Sequence, residues 1–217
     1  HTAAQVSTGA GTTAVGRSAL QNNTTGVNTA VGCFALQANI SGSRNTALGL
    51  NAGLVSTGND NVFIGDQAGD ATTANNGTFV GSSAGGAVTT GANNTLIGCG
   101  SGSAITTGAC NTIVGTYTGT TTLANNVVLS DGAAAIRFQA NSSGAWSPDG
   151  TNFGTAGQIL QSNGSAAVPA WVNNPVQPAT ILTLTTTTPT TLISVSSAAY
   201  RAVYVDISVS DATNGRY

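Results

Sequence analysis

Asn28-Thr29-Ala30-Val31-Gly32, followed by Ala35-Leu36, is one copy of a pattern that recurs through most of residues 1–132. Its glycine returns as Gly16, Gly32, Gly49, Gly65, Gly81, Gly98 and Gly115, at intervals of 16 or 17 residues. Just before each glycine stands a branched aliphatic residue: Val15, Val31, Leu48, Ile64, Val80, Ile97 and Val114. Three before it is Thr13, Thr29, Thr46, Thr78, Thr95 or Thr112, with Val62 as the exception. Four before it is Asn28, Asn45, Asn61, Asn94 or Asn111, with Thr12 and Gly77 in the other copies. Three after it the residue is small throughout, from Ala19 to Thr118, and a degraded copy ends the series at Asn126-Val127-Val128-Leu129.

This period is too short for a pair of helices, and no apolar i, i+3, i+4 pattern accompanies it. The repeat predicts a coil of two short strands and two turns. The first strand is the Thr-x-Val segment, β-branched at alternate positions as a pleated surface favours. The second is expected to follow the alanine column. Stacked coils place like residues above one another at about 4.8 Å, so the asparagines can form a hydrogen-bonded ladder and the shaft extends for about 34 Å.

Two columns exchange volume. The residue two before the glycine reads Ala14, Ala30, Ala47, Phe63, Phe79, Leu96 and Ile113, growing along the chain. The residue four after it reads Leu20 and Leu36, then Gly53, Gly69, Gly85, Gly102 and Gly119, shrinking as the other grows. Constant core volume is what close packing demands, so these columns should touch, within or between chains. The growing column alternates with the Val/Ile column along its strand, which makes both faces of that strand apolar. One face fills the coil and the other must meet something, most simply a copy of the same chain. A parallel homotrimer suits a fibre; a wide monomeric solenoid with a bent first strand is the alternative.

Composition agrees with a thin-cored β architecture. Charged residues are 6% of the 217, against about 25% in ordinary domains, and Lys, Glu and Met are absent. At 40% hydrophobic residues and a formal charge of −2, the chain lacks the profile of a disordered one. Its Arg residues, Arg17, Arg44, Arg137, Arg201 and Arg216, are scattered, which disfavours binding to nucleic acid phosphates. No apolar run is long enough for a membrane-spanning helix, so membrane insertion is not expected. The first residue is His1 and not Met, which leaves open a signal or domain upstream.

The repeats over about residues 10–132 resemble the head repeats of trimeric autotransporter adhesins and related repeats in tail fibres of tailed phages. Gly157-Gln158-Ile159-Leu160-Gln161-Ser162-Asn163-Gly164, with Pro169-Ala170-Trp171, is similar to a segment between shaft and distal domain in phage tail-fibre and other virion proteins. The resemblance implies a structural fibre of a phage tail in the virion. Its trimeric shaft would join other virion tail proteins and present a region that binds a host receptor, a glycan or a surface protein. A trimeric adhesin stalk on the bacterial cell surface is the second reading, and a polysaccharide-degrading tailspike the third.

Proline first appears at Pro148, and the change of composition divides the chain into a shaft (1–132), a Gly/Ser/Pro-containing connector (133–179) and the start of a C-terminal β-domain (180–217). In the last part Ile181–Leu184 and Leu192–Val195 read as strands, and Val203, Val205, Ile207 and Val209 alternate with polar residues before an Asp211–Gly215 turn. A hairpin begun there lacks its second strand, so the native chain is expected to continue beyond Tyr217.

The sequence offers little for catalysis, and no enzyme activity is expected. Its one histidine is His1, which works against a Ser-His-Asp or Cys-His arrangement. Asp60, Asp66 and Asp70 form the single acidic cluster, without calcium-loop spacing; they read as solvated turn carboxylates, with a cation shared between coils as the sharper alternative. Cys33, Cys99 and Cys110 lack metal-ligand spacing and read as unpaired thiols. The Thr-Thr pairs line up with the repeat, but neighbours on a strand face opposite ways, which argues against an ice-binding array. Tyr117, Trp146, Phe153 and Trp171 are candidates for stacking on carbohydrate, with burial between chains as the equal alternative. No catalytic, cofactor or metal residue is assigned, and no cofactor is expected.

Overall fold

A computed structural model describes residues 11–174. Among them the protein is all-β: no helix occurs, and a β-solenoid of stacked coils leads into antiparallel strands. The Thr-x-Val segment of every repeat forms a three-residue strand: β1 (Thr13–Val15), β2 (Thr29–Val31), β3 (Thr46–Leu48), β4 (Val62–Ile64), β5 (Thr78–Val80), β6 (Thr95–Ile97) and β7 (Thr112–Val114). The degraded copy supplies β8 (Val127–Ser130). These strands pair in parallel, each with the strand one coil later, and the register matches like positions, as in Val31 opposite Leu48 and Ala30 opposite Ala47. The parallel stack ends where β9 (Ile136–Ala140) pairs antiparallel with β8 and β10 (Trp146–Ser147) pairs antiparallel with β9. A separate hairpin joins β11 (Gln158–Gln161) to β12 (Ala170–Asn173). The strands expected at Ile181–Leu184, Leu192–Val195 and Tyr200–Ser210 lie outside the described residues.

The middle residue of each strand points into the coil. Ala30, Ala47, Phe63, Phe79, Leu96, Ile113 and Val128 are buried there, with the alanine column and Leu20, Leu36, Val88 and Ile105 completing the interior. Phe63 and Phe79 stack with centroids 5.6 Å apart and ring planes 5° from parallel, the offset geometry favoured when like aromatics lie one coil apart. The columns read as sharing one volume do touch, and they touch within one chain. A Cβ at Gly53 would stand 2.7 Å from Phe63 and 2.9 Å from Leu36, so the leucine of the preceding coil and the ring of the following one leave room only for glycine between them.

The second strand expected along the alanine column does not form; that segment is a run of turns. The residues two and four after the repeat glycine have positive φ, as in Phe34 (62°) and Leu36 (50°), and a β-strand needs negative φ throughout. Coil-to-coil hydrogen bonds persist nonetheless. The Phe34 N–H donates to the Arg17 carbonyl one coil back at 2.8 Å, and the Leu36 N–H to the Ala52 carbonyl one coil ahead at 3.0 Å. Each coil thus has one true strand and one tightly wound corner that stacks as a strand would. The repeat glycine makes the corner possible: Gly32 has φ 142°, and a Cβ on it would collide with the Gly49 carbonyl of the next coil.

Candidate functional site

The strand that buries its middle residue must turn its two flanking residues outward. The outward residues make two parallel rows on one face of the stack. One row runs, by strand register, through Val15, Val31, Leu48, Ile64, Val80, Ile97, Val114, Leu129 and Phe138. The other carries Thr13, Thr29, Thr46, Val62, Thr78, Thr95, Thr112 and Val127, then Ala140 and Trp146 on the antiparallel strands. Neither row contains a charged residue. Val15 is 54% exposed, Leu48 50%, Leu129 45% and Trp146 60%, so apolar side chains line the surface from the first coil to the last strand. At its end the Trp146 ring meets Phe138 edge-on, with centroids 5.6 Å apart.

An internal ladder of carboxamides ties the coils together beside this face. The Asn45 Oδ1 accepts from the backbone N–H of Asn61 at 3.0 Å and from its Nδ2 at 3.1 Å, and the Asn61 Nδ2 also donates to the Ala74 carbonyl at 2.9 Å. The same arrangement links Asn28 to Asn45 and Asn94 to Asn111. It is the ladder expected from the asparagine column, and every member is buried, where an unpaired amide would be costly. Gly77 interrupts it because the Phe79 ring occupies the place a side chain would need, yet its N–H still donates to the Asn61 Oδ1 at 2.7 Å. At the far end Gln139 of β9 donates to the Asn126 Oδ1 at 2.8 Å and closes the ladder.

The acidic cluster is not brought together. Asp60 lies one coil from Arg44, and the guanidinium makes two bonds to its carboxylate, at 2.5 and 2.7 Å. Those hydrogen bonds hold Asp60 below the usual carboxylate range. Burial pushes Asp70 up, and the charge of Asp66 adds to the rise. No group of three or more metal-ligating side chains forms among the described residues. Cys33, Cys99 and Cys110 are unpaired; Cys33 accepts from the Arg17 Nε at 3.4 Å, and Arg17 lies over the Phe34 ring at 4.3 Å.

The four candidate aromatics take separate roles. Tyr117 packs against the core, and Trp146 lies on the outer face. Phe153 is half-buried, while Trp171 is half-buried with its Nε1 donating to the Trp146 carbonyl at 3.2 Å. The Thr-Thr pairs do not share one arrangement: Thr72 is buried beside an exposed Thr73, whereas both members are exposed in Thr24-Thr25, Thr89-Thr90 and Thr121-Thr122. The Thr73 hydroxyl donates to the Thr89 carbonyl of the next coil at 3.1 Å. The same bond recurs at Thr89 and Thr106, which commits those hydroxyls to the shaft. Sequence reasoning missed Phe138 and Gln139, because both lie on the antiparallel return where the repeat no longer marks position.

No family model, no curated protein and no solved structure matches this chain.

Proposed function

We propose that the chain is the shaft and connector of a trimeric phage tail fibre, a non-catalytic rod that holds a receptor-binding region away from the particle. One observation carries the reading: the uncharged outer row from Val15 to Phe138, in which Val15, Leu48, Ile64, Ile97, Val114 and Leu129 are exposed and Val31, Val80 and Phe138 half-buried. Contiguous apolar surface on this scale marks an interface. The row repeats once per coil, so a partner that matches it must repeat at the same spacing. A parallel copy of the same chain meets that condition without any further component, and three copies turn these faces toward a common axis. The arrangement places Trp146 between chains and leaves the corners, with the Arg44–Asp60 pair, toward solvent.

The phage reading draws on the resemblance of the coils and of the Gly157–Trp171 segment, with other virion tail proteins at one end and a host glycan or surface protein at the other. A bacterial surface adhesin stalk uses the same rod, and a tailspike adds hydrolysis of a surface polysaccharide. Sedimentation or native mass measurement of the full chain tests the assembly: a trimer supports the fibre, and a stable folded monomer overturns it. The C-terminus of the natural protein separates the readings, since an adhesin ends in amphipathic membrane-anchor strands and a fibre in a soluble β-domain. Incubation with host polysaccharide tests the third; release of oligosaccharide would replace the non-catalytic reading.

A further inference from the structure

We propose that Asn163-Gly164 is a site of spontaneous deamidation, a modification that places new negative charge at the tip of the β11–β12 hairpin. Asn-Gly is the dipeptide in which this chemistry is least hindered, because glycine has no side chain to block its own amide nitrogen. The Gly164 nitrogen attacks the Asn163 Cγ and loses its proton to solvent base; the Cγ–Nδ2 bond breaks and ammonia leaves. Water then opens the resulting succinimide at either carbonyl, giving aspartate or isoaspartate.

Two Asn-Gly steps lie among the described residues, and the fold treats them oppositely. Residues 159–169 are exposed throughout, and a Cβ at Gly164 would meet nothing within 4 Å. The Gly164 N–H makes only a long local bond, 3.3 Å to the Ser162 Oγ. At Asn76-Gly77 the asparagine is exposed but the attacking nitrogen is not available. Gly77 is buried, and its N–H donates at 2.7 Å to the Oδ1 of Asn61, itself inside the asparagine ladder. Attack there requires the ladder to open first, and loss of that one bond already slows the step about tenfold.

Conversion at Asn163 has a structural consequence. Its Nδ2 donates to the Val168 carbonyl at 2.8 Å and ties the tip of the loop. A carboxylate in its place has no proton to donate and faces a carbonyl oxygen, and an isoaspartate adds a methylene to the backbone. The tip therefore opens once the reaction has occurred, and each chain gains a negative charge.

The chain contains no lysine, so trypsin cuts it only after arginine and separates the steps into fragments 45–137 and 138–201. The full chain, aged in mildly alkaline buffer at body temperature, is digested, and the mark read is the mass change of amide-to-acid exchange, placed at Asn76 or Asn163 by fragmenting the peptides. Isoaspartate alone does not serve, since Asp131-Gly132 and Asp149-Gly150 form it without losing ammonia. Fragment 138–201 should acquire the mark about tenfold or more faster than 45–137 in the folded protein, and the two should converge in urea. Gly164→Ala should suppress the mark in 138–201, because the added methyl hinders attack. Equal rates in the folded chain, or amide-to-acid exchange at Asn163 that survives Gly164→Ala, overturns the assignment.

Discussion

Gln139, on the first antiparallel strand, donates its side-chain amide to the Oδ1 of Asn126 at 2.8 Å, and so supplies the partner that a further coil would have supplied. Asn126 is 6% exposed and Gln139 7%, so neither amide has water as a ready substitute. Gln139→Leu fills similar space but leaves the Asn126 acceptor unpaired, which should cost about 1–3 kcal/mol. A urea midpoint within error of wild type would mean that the ladder needs no closure.

Acid should weaken the folded chain. Asp149 is held down at about 2 by the N–H and hydroxyl of Thr151, the Ser147 hydroxyl and the Asn152 N–H. A depressed carboxyl contributes stability in full above its unfolded value, and the contribution disappears as pH falls through the folded one. Asp60 and Asp131, each bonded to an arginine, act in the same direction. Asp70, raised by burial, acts the other way, since protonation relieves it. The urea midpoint should decline below about pH 4, and Asp149→Ala should flatten part of that decline. A midpoint that rises on acidification would make Asp70 the dominant group.

Chelation should leave the melting temperature unchanged. Asp60 is committed to Arg44 one coil away, while the charge of Asp66 acts on Asp70 and not on Asp60. A drop of several degrees with EDTA would reveal a cation held by groups from different coils.

The outer row gives a sharper prediction for assembly. Ile64 is 37% exposed and points away from the interior of its own coil, so Ile64→Asp leaves the coil core intact and gives up only its place in the row between Leu48 and Val80. In the proposed trimer the substitution brings three carboxylates together and forfeits about 1.5–3 kcal/mol of burial per chain. Sedimentation should show dissociation while the far-ultraviolet circular dichroism of the monomer stays β. An intact trimer would place the interface on another face.

The parts of this fold legible in the sequence are those that recur. The asparagine ladder and the apolar column from Ala30 to Ile113 could be read because each coil restates them at one offset from the glycine, but with both faces of the strand apolar the pattern did not say which one turns inward. The left-handed corner could not, because Leu20 and Leu36 hide a positive φ behind a residue that rarely adopts one. Its trace was the glycines at 53, 69, 85 and 102 in the same column, which relieve that strain as well as making room. The Arg44–Asp60 pair was obscured for a different reason. Partners on a solenoid lie one coil apart, 16 residues here, while Asp66 is nearer along the chain and lies in another column.

Gly69 faces the ring of Phe63 so closely that a Cβ on it would stand 2.5 Å from both Cδ1 and Cε1. The backbone does not forbid a leucine there: φ is 54° at Gly69, and Leu20 and Leu36 occupy the same column at 53° and 50°. Gly69→Leu alone should therefore fail by overpacking, at about 1–3 kcal/mol, and Phe63→Ala alone by leaving a cavity, at about 3–5 kcal/mol. Together they restore the alanine-and-leucine arrangement of the first coils. The Phe79 ring, 2.9 Å from the same Cβ, still limits how far the leucine can settle, so the rescue is partial. The double mutant should be more stable than the sum of the single losses by about 1 kcal/mol or more. Phe63→Ala with Gly102→Leu is the control, because the Cβ at Gly102 would meet Leu96 and not Phe63, and that pair should add. Additivity in both cycles would mean that the coil relaxes around each change independently, and that the paired drift of these columns along the chain has a cause other than shared volume.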